Sequence, residues 1–133
     1  MASMAESELN RALKHLGPLE GRIMRVVWEH RVEEPFSVRS VLARMPDLAY
    51  TTVMTTLARL ADKGILTFTA ATGRQPYRYR AAMTAGQFLI WSSRRDAQRM
   101  VERYGDLALA AFADRLDHLT AEQRERLQEL IDS

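Results

Sequence analysis

Apolar positions along this chain follow a helical period, switch to alternation, and then return to a helical period. Leu19, Ile23, Val26 and Val27 recur at helical spacing, with Met24 and Trp28 beside them, and predict a first helix over residues 18–30. Pro18 suits a first helical position, and Glu20 meets the positive end of the helix dipole. A loop with Glu33, Glu34 and Pro35 follows, then Phe36 and Ser37 leading into a short strand or a cap. Ser37 is a good N-cap for a second helix that turns Val38, Val41, Leu42 and Met45 inward and stops at Pro46. A third helix is expected over 49–63, with Val53, Leu57 and Leu60 on one side and Ala49 and Thr56 at its margin. Gly64 is its expected C-cap. Leu66, Thr67, Phe68 and Thr69 then alternate, and so do residues 76–80, with Tyr77 and Tyr79 on one face and Arg78 and Arg80 on the other. The intervening turn contains Gly73 and places Arg74 at its tip. Three helices followed by a β-hairpin give the order of a winged helix-turn-helix, in a mainly α fold.

The last third of the chain is helical in pattern. Thr84 caps a long helix carrying Phe88, Leu89, Trp91, Met100, Val101 and Tyr104, broken at Gly105 and Asp106. An alanine-rich helix around Phe112 runs from Leu107 to Leu116, and Thr120 to Gln123 is a capping-box start for a helix with Leu127, Leu130 and Ile131. These stripes are too few and too short to enclose a core. They bury either against the head of the same chain or against a second copy; the second copy is the expectation, because stable homodimer interfaces are apolar in this way. The partner-facing residues are then Phe88, Trp91, Met100, Tyr104, Leu107, Phe112, Leu116, Leu127, Leu130 and Ile131. The chain is thereby divided into a flexible leader over 1–15, a winged-helix domain over 16–82 and a helical dimerisation domain over 83–133.

The outward face of the third helix is unusual. Thr51, Thr55, Arg59 and Asp62 lie there, with Tyr50 at its start. A solvated face mixes Glu, Lys, Arg and Gln, whereas short hydroxyls and methyls suit a helix whose start presses into a DNA groove. Charge adds to this picture. From 37 to 80 there are seven basic residues and two acids; from 102 to 132 there are eight acids and four arginines. A basic middle faces an anionic polymer and an acidic end avoids it. With 133 residues, 47% of them apolar and 27% charged, the chain is long enough for a core and no candidate for global disorder.

Other chemistry finds little support. There is no cysteine, and His15, His30 and His118 are far apart, so neither a metal nor another cofactor is expected. No phosphate-binding glycine loop and no nucleophile with a base stands out, so an enzyme is not expected. No run reaches the roughly 18 apolar residues of a membrane span. The start lacks a secretory signal's apolar centre, and a cytoplasmic protein is expected.

The run Leu16-Gly17-Pro18-Leu19-Glu20, then Ile23-Met24 and Val27-Trp28, Val38-Arg39, Ala49 through Leu60 with Lys63-Gly64, and Tyr77-Arg78-Tyr79 resembles the penicillinase/methicillin-resistance repressor family, which includes copper-responsive relatives. The resemblance covers about residues 16–82 in detail and the tail in layout. It implies a homodimeric winged-helix repressor on an inverted-repeat operator upstream of beta-lactam or other stress-resistance genes. Carried over by position, Tyr50, Thr51, Thr52, Met54 and Thr55 face bases or nearby phosphates. Arg59 and Lys63 pair with phosphates, or Arg59 with an acid of the fold. Ser37, Arg39, Arg74 and Arg78 touch phosphate. Some relatives carry a charge where Met54 stands. Beta-lactam-responsive members are cut in the tail at an Asn-Phe bond, which implies a membrane sensor protease as a further partner. The equivalent bond here is Ala111-Phe112, without the Asn. The copper-responsive switch needs cysteines that this chain lacks. Two other classes stay open: a small-molecule-sensing winged-helix regulator with Trp91 and Tyr104 lining a pocket, and a winged helix used as a protein-interaction module.

Overall fold

A computed structural model describes residues 2–70, 73 and 76–132, with side chains described from residue 8 onward. The elements in order are α1 (Ala2–Leu13), α2 (Pro18–Trp28), α3 (Val38–Arg44), α4 (Tyr50–Asp62), β1 (Leu66–Thr69), β2 (Arg78–Ala81), α5 (Ala85–Tyr104), α6 (Asp106–Asp117) and α7 (Ala121–Asp132). The three helices expected from the apolar spacing are α2, α3 and α4. The chain falls into two compact units, one ending at Trp91 and one beginning at Ser92. The division lies inside α5, nine residues beyond the boundary drawn from sequence at 82/83.

In the first unit each helix ends where its chemistry dictates. Ser37 caps α3 by accepting from the Ser40 N–H at 3.2 Å, and the Ser40 hydroxyl accepts from the Ser37 N–H at 3.3 Å, a reciprocal box that satisfies two orphan donors. α4 ends in a Schellman turn: Gly64 N–H donates to Ala61 O and Ile65 N–H to Leu60 O, both at 3.0 Å, with Gly64 at φ 81°. α2 ends the same way, with His30 at φ 57° in the left-handed position and Arg31 N–H bonded to Val26 O at 3.0 Å. A non-glycine residue there gave no signal in the sequence, so the expected helix ran two residues too far.

The core gathers Ile23, Met24 and Val27 of α2, Val41 of α3, Val53, Leu57 and Leu60 of α4, and Phe36, Ile65, Leu66 and Tyr79. Leu19, expected inward, is exposed; Met24 takes the inward face instead. Two expectations are corrected here. The leader, expected to be flexible over 1–15, is helical over Ala2–Leu13 as α1, and Ala12 is fully buried in the core. A residue as small as alanine carries little weight in a periodicity argument, which is why this helix escaped it. Phe88 is also in the core, 2% exposed, with its ring 5.6 Å from Trp28 and 6.0 Å from Trp91. Trp28 donates its indole N–H to Met83 O at 2.9 Å. Phe88 and the half-buried Trp91 therefore serve the first unit's own core and are withdrawn from the partner-facing set. Apolar spacing assigns a residue to a helix face but does not say what covers that face.

β1 and β2 pair antiparallel, with Leu66 opposite Ala81, Thr67 opposite Arg80, Phe68 opposite Tyr79 and Thr69 opposite Arg78. β2 begins at Arg78, two residues later than the alternation predicted, so Pro76 and Tyr77 stand outside the ladder, where a residue without an N–H costs nothing. On its other edge β2 bridges to Phe36: Phe36 N–H donates to Tyr79 O at 2.9 Å and Tyr79 N–H to Phe36 O at 2.8 Å.

The second unit holds the end of α5, α6 and α7. Thr120 and Gln123 close the expected capping box at the start of α7, as Thr84 and Gln87 do for α5. Among the described residues of this unit only Ala108 is buried.

Placing Phe88 in the core makes a measurable prediction. Phe88→Ala should cost the first unit roughly 3–5 kcal/mol in denaturant unfolding, the range for an aromatic truncated inside a core. A loss under about 1 kcal/mol would be that of a surface residue and would overturn the placement.

Candidate nucleic-acid interface

Burial along α4 separates its two faces. Val53, Thr56, Leu57 and Leu60 are buried, while Tyr50, Thr51, Met54, Thr55, Ala58, Arg59 and Asp62 are exposed. Thr56 differs from the other threonines: its hydroxyl donates to Thr52 O at 2.7 Å, so it is spent inside the helix. Ala58 was not singled out from the sequence, yet it lies between Met54 and Thr55 on the exposed face. An alanine there leaves the helix flat enough for close approach. The start of α4 is unusual too. Ala49 offers no side-chain cap, so the first-turn N–H groups have no side-chain acceptor and the helix dipole ends in open donors.

α3 and the preceding loop set the position of α4. The Arg22 guanidinium grips Asp47, in the turn between α3 and α4, through two bonds of 3.0 and 2.9 Å. The hydrogen bonds from Arg22 hold the Asp47 carboxyl below its ordinary value of 3.8. Lys63, at the end of α4, closes both carboxylate oxygens of Glu20 at 2.8 and 2.9 Å. Both pairs are struts from α2 to the two ends of α4. Lys63 is thus already engaged by the fold and is not presented freely to phosphate.

The other expected contacts are distributed as follows. Arg39 is exposed, with its guanidinium 5.8 Å from the centre of the Tyr50 ring, so the starts of α3 and α4 meet. Thr52 is half-buried. Ser37 is buried and its hydroxyl is occupied by the cap. Arg59 makes no ion pair among the described residues, and neither do Arg39, Arg44, Arg78 or Arg80. Arg44 and Arg80, which sequence reasoning counted as charge but did not assign, are exposed. Arg74 lies outside the described residues. On β2 the Tyr79 phenol is pushed above its ordinary value, by burial first and then by the Tyr77 and Tyr50 phenols.

In the second unit Met100, Tyr104, Leu107, Leu109, Phe112, Leu116, Leu130 and Ile131 are exposed, and Leu127 is half-buried. Ala111 and Phe112 stand in the middle of α6; a protease takes its substrate extended, so this bond is reached only when the helix unwinds. The first unit has a shallow depression of about 350 Å³ lined by Leu13, Gly21, Arg22, Arg25, Val26 and Met45. Neither Trp91 nor Tyr104, the residues expected to line a ligand pocket, belongs to it.

A family model described as Penicillinase repressor matches residues 16–133. The chain belongs to the penicillinase repressor family. Within that family assignment, the exposed hydroxyl face of α4 is the surface to weigh as a DNA reader. Transcriptional regulator BlaI of Mycobacterium tuberculosis, in strains CDC 1551 / Oshkosh and ATCC 25618 / H37Rv, is 47% identical over 57 residues, which is 41% of this chain. The chain spans about 40% of the length of these curated relatives. Among solved structures, that of a MarR family protein from Bacillus stearothermophilus superposes with a TM-score of 0.44 at 18% identity, covering 98% of this chain and 87% of that one.

The Arg22–Asp47 strut predicts a pH signature. The folded carboxyl titrates below the unfolded one, so its stabilisation is complete above the unfolded value and disappears as pH falls through the folded value. Asp47→Asn should therefore be less stable than the native chain at pH 7, and the gap should narrow as pH falls out of the ordinary carboxylate range and close once the folded carboxyl is protonated. A gap that persists unchanged into acid would show that the strut does not carry the difference.

Proposed function

We propose that the chain is a sequence-specific repressor that binds an inverted-repeat operator as a homodimer in the cytoplasm, controlling beta-lactam or other stress-resistance genes. One observation carries the reading. The exposed face of α4 presents Thr51, Met54, Thr55 and Ala58 as a small, uncharged strip, bordered by arginines that the fold leaves without acids among the described residues. Such a strip suits base edges and thymine methyls in the major groove, while the arginines suit phosphate. Tyr50 and Thr51, at the uncapped helix start, and Thr52 next to them meet phosphate or the outermost base. Arg39, Arg59 and Arg78, with Arg44 and Arg80, take the backbone. Arg74, between the two strands in sequence, takes it too. Ser37 and Lys63 position α3 and α4 rather than touch DNA.

The homodimer reading is supported by the second unit. Leu107 is 76% exposed and Ile131 66% exposed, on helices that bury almost nothing of their own. Large apolar side chains left in water on such helices mark a protein interface, and a second copy supplies the same apolar side chains at the same concentration. The interface set is Met100, Tyr104, Leu107, Phe112, Leu116, Leu127, Leu130 and Ile131.

Selecting duplexes from a random library with the full chain tests the reading. The expected product is an inverted repeat with half-site centres about 10–10.5 base pairs, or a multiple of that, apart. Retention of no duplex at low salt would overturn it. Within that site, Thr55→Ala should lower discrimination between specific and random duplex, with little change on random DNA. Arg78→Ala should weaken both alike and reduce the salt slope by about 1. Equal losses for the two variants on both duplexes would remove the division of roles. For the second unit, Leu107→Arg combined with Ile131→Arg should move the chain from dimer to monomer in sedimentation equilibrium while the first unit's melting is unchanged.

A further inference from the structure

The hairpin has two chemically different faces. Its register puts Thr67, Thr69, Arg78 and Arg80 on one side and Phe68 with Tyr79 on the other. Tyr79 is consumed by the core, where it stacks on Phe36 at 6.0 Å. Phe68 and Tyr77 are not. Phe68 is 54% exposed and Tyr77 48% exposed, and their rings meet edge to face at 5.6 Å, with Phe68 also 6.1 Å from Tyr79. An exposed phenylalanine on a thin hairpin leaves apolar surface in water, and here two rings hold each other in place. The contact makes a ledge whose geometry is set before anything binds, so little side-chain freedom remains to be lost.

Its surroundings indicate what covers it. Arg78 and Arg80 stand on the other face of the same hairpin, and Arg39 of α3 stands over Tyr50 at the start of α4. None of these cations has an acid partner among the described residues. An apolar partner protein would leave those charges unmatched. A nucleic-acid duplex matches both features, because its backbone alternates phosphate with the C–H-rich face of deoxyribose.

We propose that Phe68 and Tyr77 form a sugar-binding ledge, packing on deoxyribose of the duplex beside the segment read by α4, while Arg78 and Arg80 on the opposite face hold phosphate. This rests on the DNA-binding reading above and adds an apolar component to the hairpin's contact. It makes the hairpin a measure of flanking duplex: the ledge needs backbone beyond the bases that α4 reaches, yet reads no base itself.

The test uses the full chain and the duplex it selects, prepared with long flanks and with flanks trimmed to the repeat. The double variant Phe68→Ala, Tyr77→Ala should bind the long duplex roughly tenfold more weakly, the order set by leaving part of two aromatic faces in water. Its salt slope should equal that of the native chain, because no charge is removed. On the trimmed duplex variant and native chain should bind alike. Phe68→Trp, which keeps an aromatic face, should bind the long duplex as the native chain does, and this guards against a loss that reflects folding. Equal binding of the double variant and the native chain to the long duplex overturns the ledge, as does an equal loss on long and trimmed duplexes. A native chain that retains no duplex at all overturns the DNA reading itself.

Discussion

The pairing of Phe36 with Tyr79 holds the first unit together. Two backbone bonds join the loop to the outer edge of β2, and the two rings stack behind them. Phe36 is fully buried, so neither its N–H nor its carbonyl has water to fall back on, and the bridge to Tyr79 is their only good solution. The next residue, Ser37, caps α3. The backbone of one short segment thus fixes the hairpin on one side and the start of α3 on the other. Through α3 and the turn at Asp47 it also sets where α4 begins. A reading helix and a hairpin must keep a constant relation if both are to meet one duplex, and this segment is shared by the two.

α4 shows how one helix carries two requirements in thirteen residues. Its four threonines look equivalent in sequence, but Thr56 is buried and bonded back to Thr52 O, while Thr51 and Thr55 are exposed. The inward hydroxyl is neutralised by the backbone so that it can share a core face with Val53 and Leu60. The outward ones keep their donors and acceptors. Charge is sorted in the same manner. Lys63 and Arg22 are used up as struts to Glu20 and Asp47, whereas Arg39, Arg44, Arg59, Arg78 and Arg80 are left without acids among the described residues. The +5 balance that the sequence places between residues 37 and 80 survives this sorting, because the loss of Lys63 to Glu20 is offset by Arg22, which matches Asp47.

Much of this was legible beforehand because local rules agreed with each other. Apolar spacing, Ser37, Pro46 and Gly64 bound α3 and α4 to within a residue or two, and alternation located β1. What escaped had weak local signals. α1 docks through Ala12, too small to mark a stripe. α2 ends at His30, where a glycine would have announced the turn. Phe88 sits on a helix whose later part is exposed, so a single reading of that helix assigned its residues to one purpose; the division at Trp91 splits the helix between two units. In the candidate site, Thr51 and Thr55 were singled out by residue type and spacing, and Arg39 by the resemblance. Ala58 was passed over because it has no functional group, and Lys63 was assigned outward because its partner, Glu20, lies 43 residues away. Long-range ion pairs leave no mark on a periodicity.

The second unit poses a different constraint. Its helices are individually well specified: capping boxes open α5 and α7, and an αL glycine separates α5 from α6. Caps and propensity shape helices but supply little stability, which comes from burying an apolar face. Here large apolar side chains are left in water at Leu107, Leu109, Phe112, Leu116 and Ile131. A segment that is locally decided and globally unburied is stable only when another surface arrives, and its association is then coupled to its folding. The bond between Ala111 and Phe112 lies in the middle of α6. In the proposed homodimer, association would shield that bond both by covering it and by holding α6 wound.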